Sequence, residues 1–149
     1  MQSLIAALIA IGCPVCLDAA KQLDTAPARF NLNLRGAGLD AKHAVVLANA
    51  LGAVSKPSTH SLTSFSASYN PDLKDHGARA LSGSLPNTIT ALGLVGCAIG
   101  DKGGKALLAW AQQAPNLLMI CVEDNAFSSD LKLEFTRLGQ TKPALMVVV

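Results

Sequence analysis

The chain has 149 residues, a length that suits one domain with a core large enough to bury most of its apolar surface. Half of the residues are hydrophobic but only 4% are aromatic, so we expect a core of Leu, Ala, Val and Ile. The formal net charge of +2, without a Lys/Arg cluster, argues against nucleic-acid binding. The four cysteines have no disulfide-framework spacing, which favours a reducing compartment and predicts a cytoplasmic protein.

The N-terminal segment, residues 1–28, is predicted to be a structural cap or a degenerate first repeat. Its apolar run over residues 1–11 has no Lys or Arg before Lys21, which disfavours an export signal. Asp18 ends the run short of the roughly 20 apolar residues that cross a membrane, so no membrane association is expected. A helix is predicted from Pro14 to Leu23. Residues 4–9 fit a strand as well as a helix.

A Cys-Pro-Val-Cys motif at Cys13 and Cys16 lies within this cap. A redox dithiol and half of a zinc site are two chemical interpretations of it. The favoured interpretation is structural: two small, partly buried residues at the start of a helix. The three histidines are scattered without ligand spacing. We therefore expect neither a metal nor a cofactor.

From residue 29 onward one apolar spacing recurs, and it predicts a short strand, a turn and a helix in each copy. The clearest copy continues into a helix whose apolar stripe begins at Leu107. A second copy lies 28 residues later and a third lies 27 residues earlier, with one extra residue in its turn. The copies are Leu32, Leu34, Ala37 and Leu39; Phe65, Ala67, Asn70 and Leu73; Leu92, Leu94, Cys97 and Ile99; and Ile120, Val122, Asn125 and Phe127.

This spacing predicts the order of the elements along the chain. Parallel strands are expected near residues 31–35, 63–67, 91–95, 118–122 and 145–148. Helices are expected over residues 41–51, 75–85, 101–113 and 129–138, the last with Ser128, Ser129 or Asp130 as its N-cap. The connection over residues 52–61 is about five residues longer than the later ones, and it is either a binding loop or a neutral insertion. The first of these helices is expected to face the core with Val45, Leu47, Ala48 and Leu51.

The residues that carry this spacing resemble the leucine-rich repeats of the ribonuclease-inhibitor subfamily. The alternation of Asn70, Cys97 and Asn125 in the turns is part of the resemblance, which covers about residues 29–140. It implies a right-handed α/β solenoid with parallel strands on a concave face and helices on a convex face. It divides the single domain, 1–149, into the cap 1–28, four repeats over 29–140 and a terminal strand over 141–149. The function it implies is a protein-binding scaffold, and it transfers no catalytic residue.

The strand residues that alternate with the buried ones predict the binding surface. They form three rows: Asn31, Ser64, Ala91 and Met119; Asn33, Ser66, Gly93 and Cys121; and Arg35, Ser68, Val95 and Glu123. Tyr69 and Asp124 extend the rim, and Tyr69 is the preferred anchor because Tyr is enriched at interface hot spots. Cys121 is expected to be an accessible thiol, and Cys97 a buried one bonded to the turn backbone. The partner-binding candidates are Asn33, Arg35, Ser66, Ser68, Tyr69, Cys121, Glu123 and Asp124.

Two functional hypotheses follow. The first is a protein-interaction module, such as a signalling or effector module, that binds another protein through the concave face. The second is a structural or self-associating unit without a heterologous partner, in which two copies pair as a homodimer through the apolar C-terminal strand around Val147. Thiol chemistry at Cys13 and Cys16 is a less favoured third. No nucleophile, phosphate loop or carboxylate pair has the spacing of an active site, so we do not expect an enzyme.

Overall fold

The computed structural model describes residues 1–54 and 59–149, and within these ranges the chain is an α/β protein with six helices and one five-stranded sheet. Two helices precede the first strand, and a helix then follows each of the first four strands. The helices are α1 Gln2–Ile11, α2 Pro14–Leu23, α3 Ala41–Val54, α4 Lys74–Ser82, α5 Asp101–Gln113 and α6 Ser129–Thr141; the strands are β1 Arg29–Asn33, β2 Ser61–Ser66, β3 Ala91–Gly93, β4 Met119–Cys121 and β5 Met146–Val148.

The sheet has the strand order β1-β2-β3-β4-β5, and every neighbouring pair is parallel. The predicted parallel pairing and strand order are therefore confirmed, whereas β1 and β2 begin two residues before their predicted starts and β3 ends two residues early. A parallel connection needs a crossover, and crossovers of one hand between successive neighbours place all the helices on the same side of the sheet. The other side of the sheet is left uncovered by α3 to α6.

The core lies between the sheet and the helices. Leu32, Phe65, Leu92 and Ile120 pair in register across β1 to β4, and all four are buried. Because successive strand residues point to opposite faces, the residues on either side of them face away from the core. The helices complete the core from their own side with Leu47, Leu81, Leu107, Leu108, Leu131 and Phe135.

The prediction for the inward face of α3 was wrong at one position. Val45 is 38% exposed, whereas Leu47, Ala48 and Leu51 are buried as expected. Ala44 occupies the inward position instead. Residues 44, 47, 48 and 51 follow the helical period, and a residue one place out of phase is rotated by about 100° toward solvent.

The N-terminal segment contains two helices and no strand. Residues 4–9 lie in α1, which ends at Gly12 with a left-handed φ of 74°. Leu4 and Leu8 are fully buried, one helical turn apart, and α1 packs against α2 and α3. The prediction of a helix from Pro14 to Leu23 is confirmed by α2.

The ends of three other helices differ from the predicted ones. α3 continues to Val54 and α6 to Thr141, while α4 ends early at Ser82. The predicted bounds of α5 are confirmed, and Ser128 is the N-cap of α6, its hydroxyl accepting the N–H of Leu131. Residues 55–58 of the long connection lie outside the described residues, so both interpretations of that loop stay open. No helix within residues 1–54 and 59–149 is long and apolar enough to cross a membrane.

A buried amide joins the first two strand–helix units. The side chain of Asn70 is fully buried. Its Oδ1 accepts the N–H of Leu39 at 2.9 Å, and its Nδ2 donates to the carbonyls of Leu34 at 3.0 Å and Ala67 at 2.7 Å. Leu34 and Leu39 belong to the preceding unit, so one side chain satisfies backbone groups of two units.

Cys97 and Asn125 occupy the same position in the next two units. Cys97 is fully buried, and its thiol donates to the carbonyls of Ala67 at 3.3 Å and Val95 at 3.4 Å, which confirms the predicted role. Asn125 accepts the N–H of Cys97 at 3.0 Å and donates to the carbonyl of Leu94 at 2.7 Å. The position therefore connects each turn to the one before it.

Aspartates at the start of one helix also cap the next helix. Oδ1 of Asp75 accepts the N–H groups of Gly100 at 2.8 Å and Gly103 at 2.7 Å, at the N-terminus of α5. Oδ1 of Asp101 accepts the N–H of Ser128 at 2.8 Å, at the N-terminus of α6. Hydrogen bonds from the side chain and the backbone of Ser128 hold the pKa of the Asp101 carboxyl below its ordinary value. Sequence spacing did not predict these caps between units.

Candidate functional site on the strand face

The uncovered side of the sheet, which we call the strand face, carries the alternate residues of the five strands. The register pairs Asn31 with Ser64, Ser64 with Ala91, and Ala91 with Met119. The next row pairs in the same way, so two of the predicted rows are confirmed as neighbours. Strand β5 extends both rows beyond the prediction. The strand face therefore consists of Asn31, Asn33, Ser64, Ser66, Ala91, Gly93, Met119, Cys121, Met146 and Val148.

The strand face is polar at one end and apolar at the other. Strand β1 contributes carboxamides, β2 contributes hydroxyls, and β3 contributes only Ala91 and Gly93. At the far end, Met119 is 39% exposed and its register partner Met146 is 57% exposed. Exposed, flexible methionines are typical of surfaces that bind other molecules. Met146 was missed at the sequence level because a 28-residue spacing aligns Val148 with Ile120, whereas the structure pairs Ile120 with Val147, one residue earlier.

The turns that follow the strands share one backbone conformation. Gly36, Tyr69, Gly96 and Asp124 have φ values of 60°, 60°, 61° and 57°. Each of the first three donates its N–H to the carbonyl of the neighbouring turn. A left-handed conformation is costly for a bulky residue such as Tyr69. The hydrogen bond from its N–H to the carbonyl of Val95 holds the backbone in this conformation.

Tyr69 and Arg35 form a single cluster on the rim of the strand face. The guanidinium carbon of Arg35 lies 4.1 Å from the centre of the Tyr69 ring, a cation–π contact. The ring also lies against Gly96, where an added Cβ would come within 3.1 Å of it. Tyr69 remains 44% exposed. Two predicted site residues are thus brought together, and the tyrosine is both held and accessible.

Ser68 does not lie on the accessible surface that its place in the third row predicted. It is only 4% exposed. Its hydroxyl oxygen accepts the backbone N–H of Val95 at 3.1 Å and is 3.4 Å from the hydroxyl of Ser66, which donates to it. Gly93 leaves room for both hydroxyls, since an added Cβ there would lie 3.1 Å from the Ser66 oxygen. Ser68 therefore orders the turn, and Ser66 is the serine that remains partly exposed.

An acidic pair ends the strand face beyond β4. Asp124 is exposed, and Glu123 is partly buried. Oε2 of Glu123 is shielded from solvent and has no hydrogen-bond partner among the residues that the structure describes. Burial, together with the negative charge of Glu123, raises the pKa of the Cys121 thiol. Cys121 is thus a partly exposed, neutral thiol, and Glu123 carries an unused acceptor.

A cleft of about 370 Å³ borders the strand face at its polar end. It lies between α2 and β1, and Asn33 is one of the site residues that line it. The cleft was not predicted, because it depends on how the N-terminal helices pack beside the first strand. Its lining residues are Val15, Asp18, Ala19, Gln22, Asn31 and Asn33.

The Cys-Pro-Val-Cys motif lies at the start of α2, and its Val15 lines the cleft that borders the strand face. Cys13 is the N-cap, and its sulfur accepts the N–H of Cys16 at 3.1 Å. Cys16 is fully buried, and burial followed by its contact with Cys13 raises the pKa of the Cys16 thiol to about 12. Within residues 1–54 and 59–149, no group of three or more His, Cys, Asp and Glu side chains is arranged to hold a metal ion.

No protein-family model matches the chain, and no curated protein matches its sequence. The choice between functions therefore rests on the geometry of the strand face and of the cysteine pair.

Proposed function

We propose that this chain is a leucine-rich-repeat solenoid similar to the ribonuclease-inhibitor subfamily, and that it binds another protein through the strand face. The leucine-rich-repeat hypothesis is supported by the unbroken parallel strand order and by the turn position that Asn70, Cys97 and Asn125 share. A binding role is supported by a sheet side that α3 to α6 leave uncovered. The free thiols suit the reducing, cytoplasmic setting that we propose for it.

The observation that carries the binding proposal is the combination of anchors on this one surface. Tyr69 and Arg35 are residue types enriched at interface hot spots, and their mutual contact reduces the entropy lost on binding. Met119 and Met146 add exposed apolar area at the opposite end. A polar rim beside an apolar patch is the usual composition of a protein interface.

The acidic residues Glu123 and Asp124 indicate which chemical group the partner contains. Oε2 of Glu123 is shielded from solvent, so a partner would meet this acidic pair through the exposed carboxylate of Asp124. We infer that the partner places a lysine or arginine beside the pair. The exposed carboxylate of Asp124 strengthens the attraction for a basic group.

The test uses the full chain immobilised as bait for proteins from its native cells. Met119→Lys alters the strand face, and Tyr69→Ala alters its rim. Leu133→Lys is the matched control, because Leu133 is 48% exposed on α6. We expect one partner to be recovered with the wild type and the control, and to be lost with both strand-face variants. For Tyr69→Ala the expected cost is about 2 kcal/mol, or roughly 30-fold in affinity. Equal recovery with all four baits would contradict the proposal.

Sedimentation of the same chain distinguishes the self-association hypothesis from the binding hypothesis. Strand β5 pairs with β4 on one side. Val147 faces the helices, and a Cβ added at Gly139 of α6 would lie 3.3 Å from its Cγ2. A Val147→Lys substitution would therefore disturb the core, and Met146→Lys is the better probe of this strand. A homodimer that forms with increasing concentration and is lost in Met146→Lys supports the second hypothesis. A monomer that still captures a partner supports the first.

A further inference from the structure

Two thiols lie side by side at the first turn of α2. Cys13 occupies the N-cap with Pro14 in the first turn, and the N–H of Cys16 points at the Cys13 sulfur from 3.1 Å. Two cysteines three residues apart at a helix N-terminus are a common arrangement for redox-active thiol pairs.

The two thiols differ in access. Cys13 is partly exposed, while Cys16 is fully buried among the core residues of the N-terminal helices. A reagent in solution therefore reaches Cys13 first. Cys16 is positioned to react with the sulfur of Cys13 and not with the reagent itself. The remaining thiols have other neighbours, since Cys97 donates to two backbone carbonyls and Cys121 lies beside Glu123.

We propose that Cys13 and Cys16 form a reversible dithiol–disulfide site that exchanges with small-molecule disulfides of the glutathione class. This site lies in the N-terminal helices, and its chemistry does not depend on the binding function proposed for the strand face.

The exchange proceeds in two steps that balance. The thiolate of Cys13 attacks one sulfur of the oxidant, which breaks the oxidant's S–S bond, forms a mixed disulfide and releases one thiolate. Cys16 then attacks the Cys13 sulfur while its proton passes to the departing thiolate, which forms the internal disulfide and releases the second thiol. The protein is oxidised by two electrons and one disulfide is reduced to two thiols.

The exchange is measured on the full chain in buffers with increasing ratios of oxidised to reduced glutathione, followed by acid quenching, alkylation and tryptic digestion. Lys21 is the first tryptic site, so the peptide of residues 1–21 holds Cys13 and Cys16 and no other cysteine. We expect this peptide to lose both alkylation sites together and to become lighter by two hydrogen atoms. Dithiothreitol should restore both sites. Cys121 falls in a different peptide and is the internal control, expected to form only a mixed disulfide.

Two variants make the order of events testable. Cys16→Ser should accumulate glutathione on Cys13, because the resolving thiol is missing. Cys13→Ser should lose all reactivity in the peptide until the protein is unfolded, because Cys16 is buried. Circular dichroism establishes that each variant is folded. A wild-type protein that stops at the Cys13 mixed disulfide, or that stays reduced while Cys121 reacts, would overturn the proposal. So would a Cys13→Ser protein that reacts as fast as the wild type.

Discussion

At the scale of single residues, Asn70 illustrates why a polar side chain is placed inside this core. The turns between strand and helix cannot complete their backbone hydrogen bonds internally, and a buried N–H or C=O without a partner costs about 1–3 kcal/mol. Asn70 supplies both a donor and an acceptor to the preceding unit. Cys97 supplies only a weak donor at the same position, to the carbonyls of Ala67 and Val95. The amide is therefore the stronger of the two connections.

We predict that Asn70→Ala destabilises the protein by about 2–4 kcal/mol, because it leaves the N–H of Leu39 and the carbonyl of Leu34 without their partner. The carbonyl of Ala67 keeps only the weak thiol donor of Cys97. Urea unfolding followed by circular dichroism measures the change. Asn116→Ala is the control, since its amide donates to Asn87 at an exposed site, and a change within about 0.5 kcal/mol is expected. Equal losses in both variants would show that burial of the amide is unimportant.

At the scale of elements, the close packing of α5 depends on two adjacent glycines. A Cβ on Gly103 would lie 2.8 Å from Oδ1 of Asp75, which caps this helix from α4. A Cβ on Gly104 would lie 2.5 Å from Cδ2 of Leu131 in α6. These glycines allow close approach on both sides of α5, although helix propensity alone disfavours them by about 1 kcal/mol each.

We predict that Gly104→Ala destabilises the protein by about 1–3 kcal/mol, because the new methyl group is forced against Leu131 and Phe127. Gly52→Ala is the matched control within α3, where an added Cβ meets no described atom within 4 Å. That substitution should stabilise the protein by about 0.4–1 kcal/mol. The two free energies of unfolding should thus change in opposite directions. A gain in stability for Gly104→Ala would show that α5 and α6 move apart at little cost.

At the scale of the whole molecule, one continuous core connects the N-terminal helices to the last strand. Each helix packs mainly on its neighbours, as α3 does on α4, α4 on α5 and α5 on α6. The N-terminal end is closed by α1, which packs on α2 and α3. Stability in such an arrangement is transmitted from unit to unit through shared interfaces.

We predict that Leu8→Ala, at the N-terminal end, destabilises the protein by about 2–5 kcal/mol, because Leu8 is fully buried. Trp110 is the single tryptophan and lies in α5, outside the helices that α1 contacts. If the core unfolds as one unit, Trp110 fluorescence and circular dichroism should report the same shifted urea midpoint. A fluorescence midpoint that stays at the wild-type value would show that the N-terminal helices unfold separately.

The strand order and, across β1 to β4, two rows of the strand face could be predicted because they follow from a repeated spacing. When copies of one pattern stack as parallel strands, equivalent residues become neighbours, so the match of Phe65 to Leu92 to Ile120 in sequence is also their pairing in the sheet. The turn position of Cys97 followed from the same alignment. The helical state of residues 4–9 could not be predicted in this way, because a short apolar run fits either state until its neighbours α2 and α3 are known.

Within strands β1 to β4, the sequence by itself determined which residues face the core and which face the opposite side, because that choice depends on periodicity within one strand and its copies. Only the tertiary structure decided how accessible and how well bonded each residue is. Ser68 is buried, and its hydroxyl accepts the backbone N–H of Val95 from the next unit. Asp75 caps a helix that begins about 25 residues further along the chain. The unpaired oxygen of Glu123 depends in the same way on atoms of neighbouring units. The physical reason is that the exposure and the hydrogen-bond partners of these side chains depend on residues distant in sequence. Periodicity, in contrast, is a property of neighbouring residues within one segment.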